Sequence, residues 1–257
     1  FGSKRVATIP RSQALQERAA PMAPVLRHRY FALRHGESEA NVAGLIISDP
    51  EVGTQRYGLT ENGRAGVAGS ARSFAAEVLG VDGGVGEEAV AKLRSVRIYA
   101  SDFKRTRETS EVFAETLAKV VKEAGGEPEA LLAPRPTVSL RERYFGELEG
   151  GKNDRYDDVW AVDKEDATAE PFGSESAEST RQRTADLVRT LEREEAQPLL
   201  VVLVSHGDAL QLLQTAFQGL PAAQHRSLQH LNPAELRELP PTAEGAEVLS
   251  AAPSAAA

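Results

Sequence analysis

Cysteine is absent from the 257-residue sequence, which also contains only one methionine and one tryptophan. Without cysteine the chain can form no disulfide, no thiolate zinc site and no thiol nucleophile. Long apolar runs are absent too: the longest, residues 199–204, is far shorter than the roughly 20 residues that span a bilayer. The sequence therefore predicts no transmembrane segment.

Basic residues are outnumbered by acidic residues, 30 against 38, and the formal net charge is −8. An acidic chain is a poor general nucleic-acid binder, because phosphate backbones bind to basic surfaces. A small anionic substrate is still allowed, since one pocket can be locally basic. The length and the ordinary content of hydrophobic residues, 41%, fit one large α/β domain.

The two ends of the chain differ in composition from the rest. Residues 1–28 are basic and contain three prolines, which predicts an extended arm, either an ordinary terminus or the remnant of an organellar transit segment. Residues 240–257 are rich in alanine, serine and proline and are predicted to be a disordered tail, because they bury too little apolar area to fold. The predicted domain is therefore residues 29–239.

Apolar runs alternate with helical patterns along this domain. Residues 29–34, 96–100 and 199–204 read as strands of a parallel sheet, and the last is apolar throughout and hence central. Thr60 is a plausible N-cap of a helix with an apolar stripe at Val67, Ala71, Phe74 and Val78. Residues 44–58 are predicted to be a loop. Residues 153–166 are predicted to form a short helix that covers part of the site.

Polar groups with related chemistry follow the predicted strands. Arg34 and His35 end the first strand, Arg105 lies just after the second, and His206 follows the third. Glu142 lies in an acidic segment that is interpreted as closing a short strand. Because the carboxyl ends of parallel strands share one edge of a sheet, we expect these five groups to converge.

The chemistry of these residue types favours phosphoryl transfer. A neutral imidazole can act as a nucleophile, and a guanidinium can hold a phosphate through two hydrogen bonds. A partly buried carboxyl group can protonate a leaving group, and Glu142, Glu147 and Glu149 are equal candidates on this ground. Asn41 could donate from its amide, and Gly36 would let the backbone approach a ligand closely.

Three other residues are interpreted as having no part in catalysis. His225 and His230 are five positions apart, which is not the spacing of metal ligands on a helix, and both are expected at the surface. Trp160 is expected to pack within the protein.

The sequence resembles the histidine phosphatase superfamily, also called the phosphoglycerate mutase-like family. The matching runs are residues 33–38 with Asn41, 59–63, 101–106, 140–146 and 204–207. Residues 141–146, 160–163 and 205–214 are most similar to a branch of uncharacterised plant and algal members. The resemblance implies a three-layer α/β/α fold with a mostly parallel central sheet.

The resemblance also implies a role for each residue of the site. His35 would be the histidine that is phosphorylated, Arg34, Arg105 and His206 would hold the phosphoryl group, and Glu142 would protonate the leaving oxygen. Contacts to phosphate would also come from Asn41, Ser48, Gly36 and Gly207. No cofactor or metal ion would be required.

Two departures from the mutases of this family favour a phosphatase. Residues 151–163 are short and acidic and lack the tandem arginine pair of the mutases, and Phe145 stands where those enzymes usually have tyrosine. We therefore predict a phosphomonoesterase acting on a small phosphorylated metabolite. The alternatives are a cofactor-dependent phosphoglycerate mutase and a catalytically idle structural or assembly subunit.

The expected partner is the small phosphorylated substrate, without nucleic acid or a membrane span. A homodimer or larger assembly could form through the terminal extensions. The expected location is the cytoplasm or an organellar matrix, that of a chloroplast or a mitochondrion, and not outside the cell.

Overall fold

A parallel sheet runs through the centre of the computed structural model, which describes residues 25–81 and 84–252. In this part of the chain five strands form one sheet in the order β3-β2-β4-β1-β5. The strands are β1 Arg29–Arg34, β2 Val96–Ala100, β3 Arg135–Pro136, β4 Leu200–Ser205 and β5 Leu236–Glu238. β4 is buried at every position, as expected for the central strand. The predicted mostly parallel sheet is confirmed, since only β5 pairs antiparallel.

Helices cover both faces of the sheet and give the three-layer α/β/α fold that the resemblance implied. The helices are α1 Glu39–Ala43, α2 Pro50–Gly53, α3 Glu61–Phe74, α4 Glu87–Ser95, α5 Lys104–Glu123, α6 Tyr156–Glu165, α7 Ala177–Glu194, α8 Gly207–Phe217 and α9 Ala243–Ser250. None of the helices in the described ranges is long and apolar enough to cross a membrane.

Alternation along β1 divides the core into two layers. Phe31 packs in the cluster that includes residues of α3 and α5, whereas Tyr30 packs in the cluster that includes residues of α7, α8 and α9. Successive side chains of a strand point to opposite faces, so one strand anchors both helical layers. The apolar character of the strands at both faces is what selects a sheet covered on each side.

Local sequence signals explain how α3 begins and which face it buries. The hydroxyl of Thr60 accepts a hydrogen bond from the Gly63 N–H at 3.0 Å, so the predicted N-cap is confirmed. The predicted stripe packs on the sheet through Val67, Ala71 and Phe74. Val78, the last member of the stripe, lies in a π-helical continuation over Ala75–Leu79 and is only partly buried.

Two local predictions are wrong. The predicted loop over residues 44–58 contains α2, which begins after Asp49, whose carboxylate accepts from the Glu51 N–H at 2.8 Å. The segment before Glu142 is a 3₁₀-helix over Val138–Leu140 and not a strand. The third parallel strand is shorter and earlier, at β3, where Arg135 and Pro136 pair with β2.

The predicted terminal segments have different outcomes. Residues 1–24 of the predicted arm lie outside the described residues. The prediction of a disordered tail is wrong as far as residue 252, because α9 forms there with Thr242 as its N-cap. Leu249 of α9 is fully buried in the core cluster with Phe217 of α8. The prediction considered only the apolar area that the segment could bury by itself. It failed because α9 buries its apolar face against α8.

We expect Leu249→Ala to lower the free energy of unfolding by about 2–4 kcal/mol, because it removes a fully buried side chain from the core. Glu247→Ala, at an exposed position of the same helix, should change it by less than about 0.5 kcal/mol. Urea unfolding of both variants measures this difference. Equal effects would show that α9 does not contribute to the core in solution.

Candidate active site

The parallel pairing of β1 with β4 brings His35 and His206 together. Arg34 is in register with Ser205, and the His35 N–H donates to the Ser205 carbonyl at 2.9 Å. Both histidines are the first residues past the ends of their strands, and their ring centroids are 5.2 Å apart in an edge-to-face arrangement. The predicted convergence of these histidines at one sheet edge is therefore confirmed.

The hydrogen bonds of His35 determine which of its nitrogens carries the proton. Nδ1 lies 2.8 Å from the Gly36 carbonyl oxygen, and since a carbonyl can only accept, Nδ1 carries the proton. The lone pair is then on Nε2, where it accepts from Nε of Arg105 at 3.2 Å. Burial, followed by the charges of Arg105 and Arg34, holds the pKa of His35 well below its usual range. The ring is therefore neutral at neutral pH, as a nucleophile requires.

Arg105 lies in the first turn of α5 and is buried beside His35. Nη2 donates to the Ile47 carbonyl at 2.9 Å, while the buried Nη1 has no partner among the described residues. Burial lowers the pKa of Arg105 to about 10, so the group is still a cation at neutral pH. A buried cationic donor without a partner is suited to an anionic ligand.

The guanidinium of Arg34 is held by two residues that are distant in sequence, His230 and Leu231. Its Nη1 donates to Nε2 of His230 at 2.9 Å and to the Leu231 carbonyl at 2.8 Å, and its buried Nε has no partner in the described structure. Burial is the largest cause that lowers the pKa of Arg34. The guanidinium is thus fixed on one side and keeps donors for a ligand on the other.

His230 is not the surface group that its spacing suggested. Its Nε2 accepts from Arg34, so its proton is on Nδ1, which donates to Oε1 of Gln211 at 3.0 Å. Burial and the charge of Arg34 lower the pKa of His230 to about 4, which keeps it neutral. Gly207 makes the space: a Cβ there would lie 2.9 Å from Cε1 of His230. Nothing local signals this contact, because Arg34 and His230 are 196 positions apart.

Glu142 lines the same cavity as His35 and Arg105. It is buried, and Oε1 accepts from the backbone N–H groups of Arg143 and Ala209 at 3.0 and 3.2 Å. Burial, followed by the charge of Asp208, raises the pKa of Glu142 against the opposing effects of Arg105 and these hydrogen bonds. Glu142 is therefore biased toward its protonated form.

The other two acidic candidates are placed elsewhere. Glu147 is exposed. Oε2 of Glu149 accepts from both N–H and Oγ of Ser48, at 2.6 and 2.7 Å. The Ser48 hydroxyl also accepts from the Phe145 N–H at 2.9 Å, so the structure does not bring it to the cavity. The contact of Ser48 with phosphate stays a prediction, and its observed bonds join two loops.

A fully buried ion cluster supports the segment that carries Glu142. Arg143 donates two hydrogen bonds to the carboxylate of Asp163, at 2.6 and 2.8 Å, and a longer one of 3.4 Å to Asp208. His225, expected at the surface, is fully buried with Nε2 at 3.8 Å from both carboxylates. The prediction failed because the partners of His225 come from α6 and α8, far away in sequence.

Trp160 packs within the protein, as predicted. Its ring stacks on Tyr156 with centroids 5.4 Å apart, and its Nε1 donates to Oδ1 of Asp208 at 2.9 Å. The predicted helix over residues 153–166 is confirmed as α6 with a preceding 3₁₀ turn at Asn153–Arg155. This helix brings Tyr156 to the site, a contribution that the sequence did not identify.

A cavity of about 80 Å³ opens beside these groups. Its lining includes Arg34, His35, Arg105, Glu142, Asn41 and Tyr156. Asn41 caps α1 with its carbonyl oxygen, which accepts from the Ser38 N–H at 3.0 Å, so its amide NH₂ is the group left for a ligand. A second cavity, of about 600 Å³, lies between α3 and β5, and no basic residue or histidine is found in its described lining.

The remaining predicted contacts, His206, Gly36 and Gly207, support the cavity from outside its lining. His206 is fully buried, its Nε2 is 2.9 Å from the Ser101 hydroxyl, and its Nδ1 has no partner in the described structure. Burial, followed by the charge of Arg105, holds the pKa of His206 well below its usual range. A Cβ on Gly36 would lie 2.6 Å from the Gly63 carbonyl, so this glycine permits packing on α3.

Comparison with known families gives a match over most of the chain. A family model described as the histidine phosphatase superfamily, branch 1, matches residues 86–252. This range includes Arg105, Glu142 and His206 and begins after His35. No curated protein sequence matches the chain.

Solved structures with the same fold cover most of the chain. A mycobacterial glucosyl-3-phosphoglycerate phosphatase, solved as a complex with VO₃, is 27% identical, with a TM-score of 0.58 over 82% of this chain and 92% of that chain. A protein described as mycobacterial hydrolase 1 is 25% identical, with a TM-score of 0.59 over 82% and 90%. YhfR of Bacillus stearothermophilus, 24% identical over 82% and 90% with a TM-score of 0.58, shares the fold.

We expect His230→Ala to weaken the binding of inorganic phosphate about tenfold, because Arg34 loses the acceptor that fixes its guanidinium. His230→Gln offers an amide oxygen near the position of Nε2 and should restore most of the affinity. The measurement is the inhibition constant of phosphate, with thermal unfolding of each variant as the control for folding. Equal affinity in all three proteins would exclude a positioning role for His230.

Proposed function

Since the chain belongs to the histidine phosphatase superfamily and is a phosphatase, we propose that it hydrolyses phosphate monoesters of small metabolites through a phosphohistidine at Nε2 of His35. The observation that carries this proposal is the hydrogen bond from Nδ1 of His35 to the Gly36 carbonyl. It leaves the lone pair on Nε2, which lies in one small cavity with Arg105, Arg34 and Glu142, an acid whose pKa is raised by burial.

The first half of the proposed reaction forms the phosphohistidine. Nε2 of His35 attacks phosphorus, the P–O bond to the alcohol breaks, and Glu142 gives its proton to the departing oxygen. Negative charge spreads over the phosphoryl oxygens in the transition state, where Arg34 and Arg105 supply cationic donors. The neutral His206 lies next to the ring of His35 and outside the cavity lining, and its buried Nδ1 has no partner among the described residues.

The second half returns the enzyme to its starting state. Water attacks phosphorus, the P–N bond to Nε2 breaks, and the Glu142 carboxylate takes the proton that the water loses. Phosphate leaves, and Glu142 is protonated again. The same residue thus acts first as acid and then as base, which a pKa raised by burial allows near neutral pH.

Incubation with a ³²P-labelled phosphate ester followed by rapid quenching in alkali should trap label that is lost on mild acid treatment, the behaviour of a phosphohistidine. His35→Ala should retain no label and have no measurable turnover, because the attacking nitrogen is gone. Circular dichroism of His35→Ala shows whether the fold is kept. Label on a folded His35→Ala protein would rule out His35 as the nucleophile.

A second assay distinguishes the proposed phosphatase from the mutase alternative. Supplied with a bisphosphoglycerate primer and 2- or 3-phosphoglycerate, a mutase exchanges the two isomers, whereas a phosphatase releases inorganic phosphate. Exchange without release would contradict the proposed hydrolysis.

We expect Glu142→Gln to slow hydrolysis of alkyl phosphates by about 10²–10⁴, because an alkoxide leaves poorly without a proton. p-Nitrophenyl phosphate, with its good leaving group, should lose much less. In the wild type, kcat/KM for an alkyl phosphate should fall on the alkaline side of the profile as Glu142 loses its proton. Because the pKa of Glu142 is raised, this fall should occur above the usual carboxyl range. This alkaline fall should disappear in Glu142→Gln.

The acid side of the same profile reports His35. Because the pKa of His35 is lowered, protonation should stop the reaction only below the usual histidine range, in both proteins. Stopped assays of kcat/KM across pH, with the same substrate for the wild type and Glu142→Gln, measure the acid side of the profile. Ionisation of the ester affects both proteins equally, so a difference between the two profiles comes from the enzyme. Equal losses on alkyl and aryl esters, with the alkaline fall retained, would remove Glu142 from the role of acid.

A further inference from the structure

Apart from the carboxyl group of Glu142, the described cavity wall beyond the two arginines has no acidic or basic side chain other than His35. It is formed by the amides of Asn41 and Asn153, the phenol of Tyr156 and the aliphatic side chains of Leu45 and Ile47. Two guanidinium groups balance the two charges of a phosphate monoester dianion. A phosphoryl group on His35 would therefore use the described cationic donors, and the alcohol part of the ester would meet a neutral wall.

Lys152, a basic residue next to Asn153 in sequence, is held outside this wall. Lys152 is exposed, and its Nζ donates to the Ala43 carbonyl at 3.2 Å, so it holds the loop before Leu45 and does not line the cavity. Arg34 is likewise held on its far side by His230 and Leu231. A carboxylate or second phosphate on the substrate would lose its hydration at this wall without a compensating charge.

Tyr156 presents a hydroxyl group on a ring whose position is fixed by its aromatic neighbours. Its ring is fixed between Phe145, with centroids 4.7 Å apart, and Trp160, at 5.4 Å. Its hydroxyl forms no hydrogen bond with the residues that the structure describes. Burial, followed by the charge of Glu142, raises the pKa of Tyr156, so the hydroxyl keeps its proton and can donate. The phenol thus lies near the acid that would protonate the leaving oxygen.

Asn153 lies at the rim and is held independently of its side chain. Its backbone N–H donates to the Gly44 carbonyl at 3.0 Å, and the adjacent Lys152 bridges to Leu45. Its amide can both donate and accept, which suits a hydroxyl group. The position can therefore be substituted without changing the loop that carries it.

We propose that the substrate is a phosphate monoester of a small, uncharged, hydroxylated alcohol, and that Asn153 and Tyr156 bind the hydroxyl groups of that alcohol. This inference rests on the proposed phosphatase reaction at His35 and adds the class of the alcohol. It sets the chain apart from an enzyme for phosphorylated carboxylic acids, whose substrates carry a second negative charge.

A matched pair of substrates tests the inference. sn-Glycerol 3-phosphate and 3-phosphoglycerate have the same carbon chain and phosphate position, and they differ in a CH₂OH against a carboxylate. The wild type should hydrolyse glycerol 3-phosphate with a kcat/KM at least about tenfold higher, and p-nitrophenyl phosphate serves as the reference substrate. Tyr156→Phe removes one neutral hydrogen bond to the alcohol. Its kcat/KM on glycerol 3-phosphate, divided by that on p-nitrophenyl phosphate, should therefore be about three- to tenfold lower than in the wild type.

Asn153→Arg places a cation on the wall and should raise the relative rate on 3-phosphoglycerate about tenfold or more. Asp154→Asn is the matched control, because it changes the net charge by the same amount at an exposed neighbour outside the cavity lining. It should leave the ratio of the two substrates unchanged.

Three results would overturn the inference while leaving the phosphatase reaction standing. They are equal rates on the two esters, a preference for 3-phosphoglycerate, and hydrolysis of p-nitrophenyl phosphate without hydrolysis of either ester. A shift of the ratio in Asp154→Asn as large as that in Asn153→Arg would also overturn it. Absence of phosphate release from all three substrates, together with absence of phosphohistidine, would remove the proposed function and this inference with it.

Discussion

The parallel hydrogen bonds between β1 and β4 are the interaction on which the site depends. They set Arg34 opposite Ser205 and so place the next residue of each strand, His35 and His206, side by side. A shift of one residue would send each side chain of β1 to the other face and separate the two rings. The core stabilises this register, since Phe31 and Tyr30 anchor different layers of helices.

Burial then shifts the pKa values of neighbouring groups in opposite directions. It lowers the pKa of His35 and raises that of Glu142, because in each case it disfavours the charged form. The charges of Arg105 and Arg34 reinforce the effect on the histidine, while Asp208 reinforces the effect on Glu142. One environment thus favours a neutral imidazole at His35 and the protonated form of the carboxyl group at Glu142, the combination that the proposed acid–base chemistry needs.

Sequence reasoning predicted the parts of the site that follow from strand ends. The strands that end at or just before Arg34, Arg105 and His206 are apolar runs with clear ends. These three residues could therefore be assigned to one sheet edge from the sequence. Glu142 was placed correctly for the wrong reason, since a 3₁₀-helix and not a strand precedes it. Its environment depends on Asp208 and the Ala209 N–H, whose closeness no local pattern contains.

Contacts between distant segments account for what could not be predicted. His230 and His225 are polar residues in an irregular segment, and only the folded chain shows that one holds Arg34 and the other is enclosed with Asp163 and Asp208. The helix at α9 was missed for the same reason. Its alanine-rich sequence gives little apolar area alone, but Leu249 fills a site that α8 provides.

The hydrogen bond from Nε of Arg105 to Nε2 of His35 has a consequence for selectivity. The lone pair on Nε2 of His35 is the acceptor of that hydrogen bond. If His35 is the nucleophile proposed above, a phosphoryl group would draw the guanidinium of Arg105 to its own oxygens and so release the lone pair, whereas a neutral electrophile would not. Binding of the anion and release of the attacking nitrogen would then be a single event.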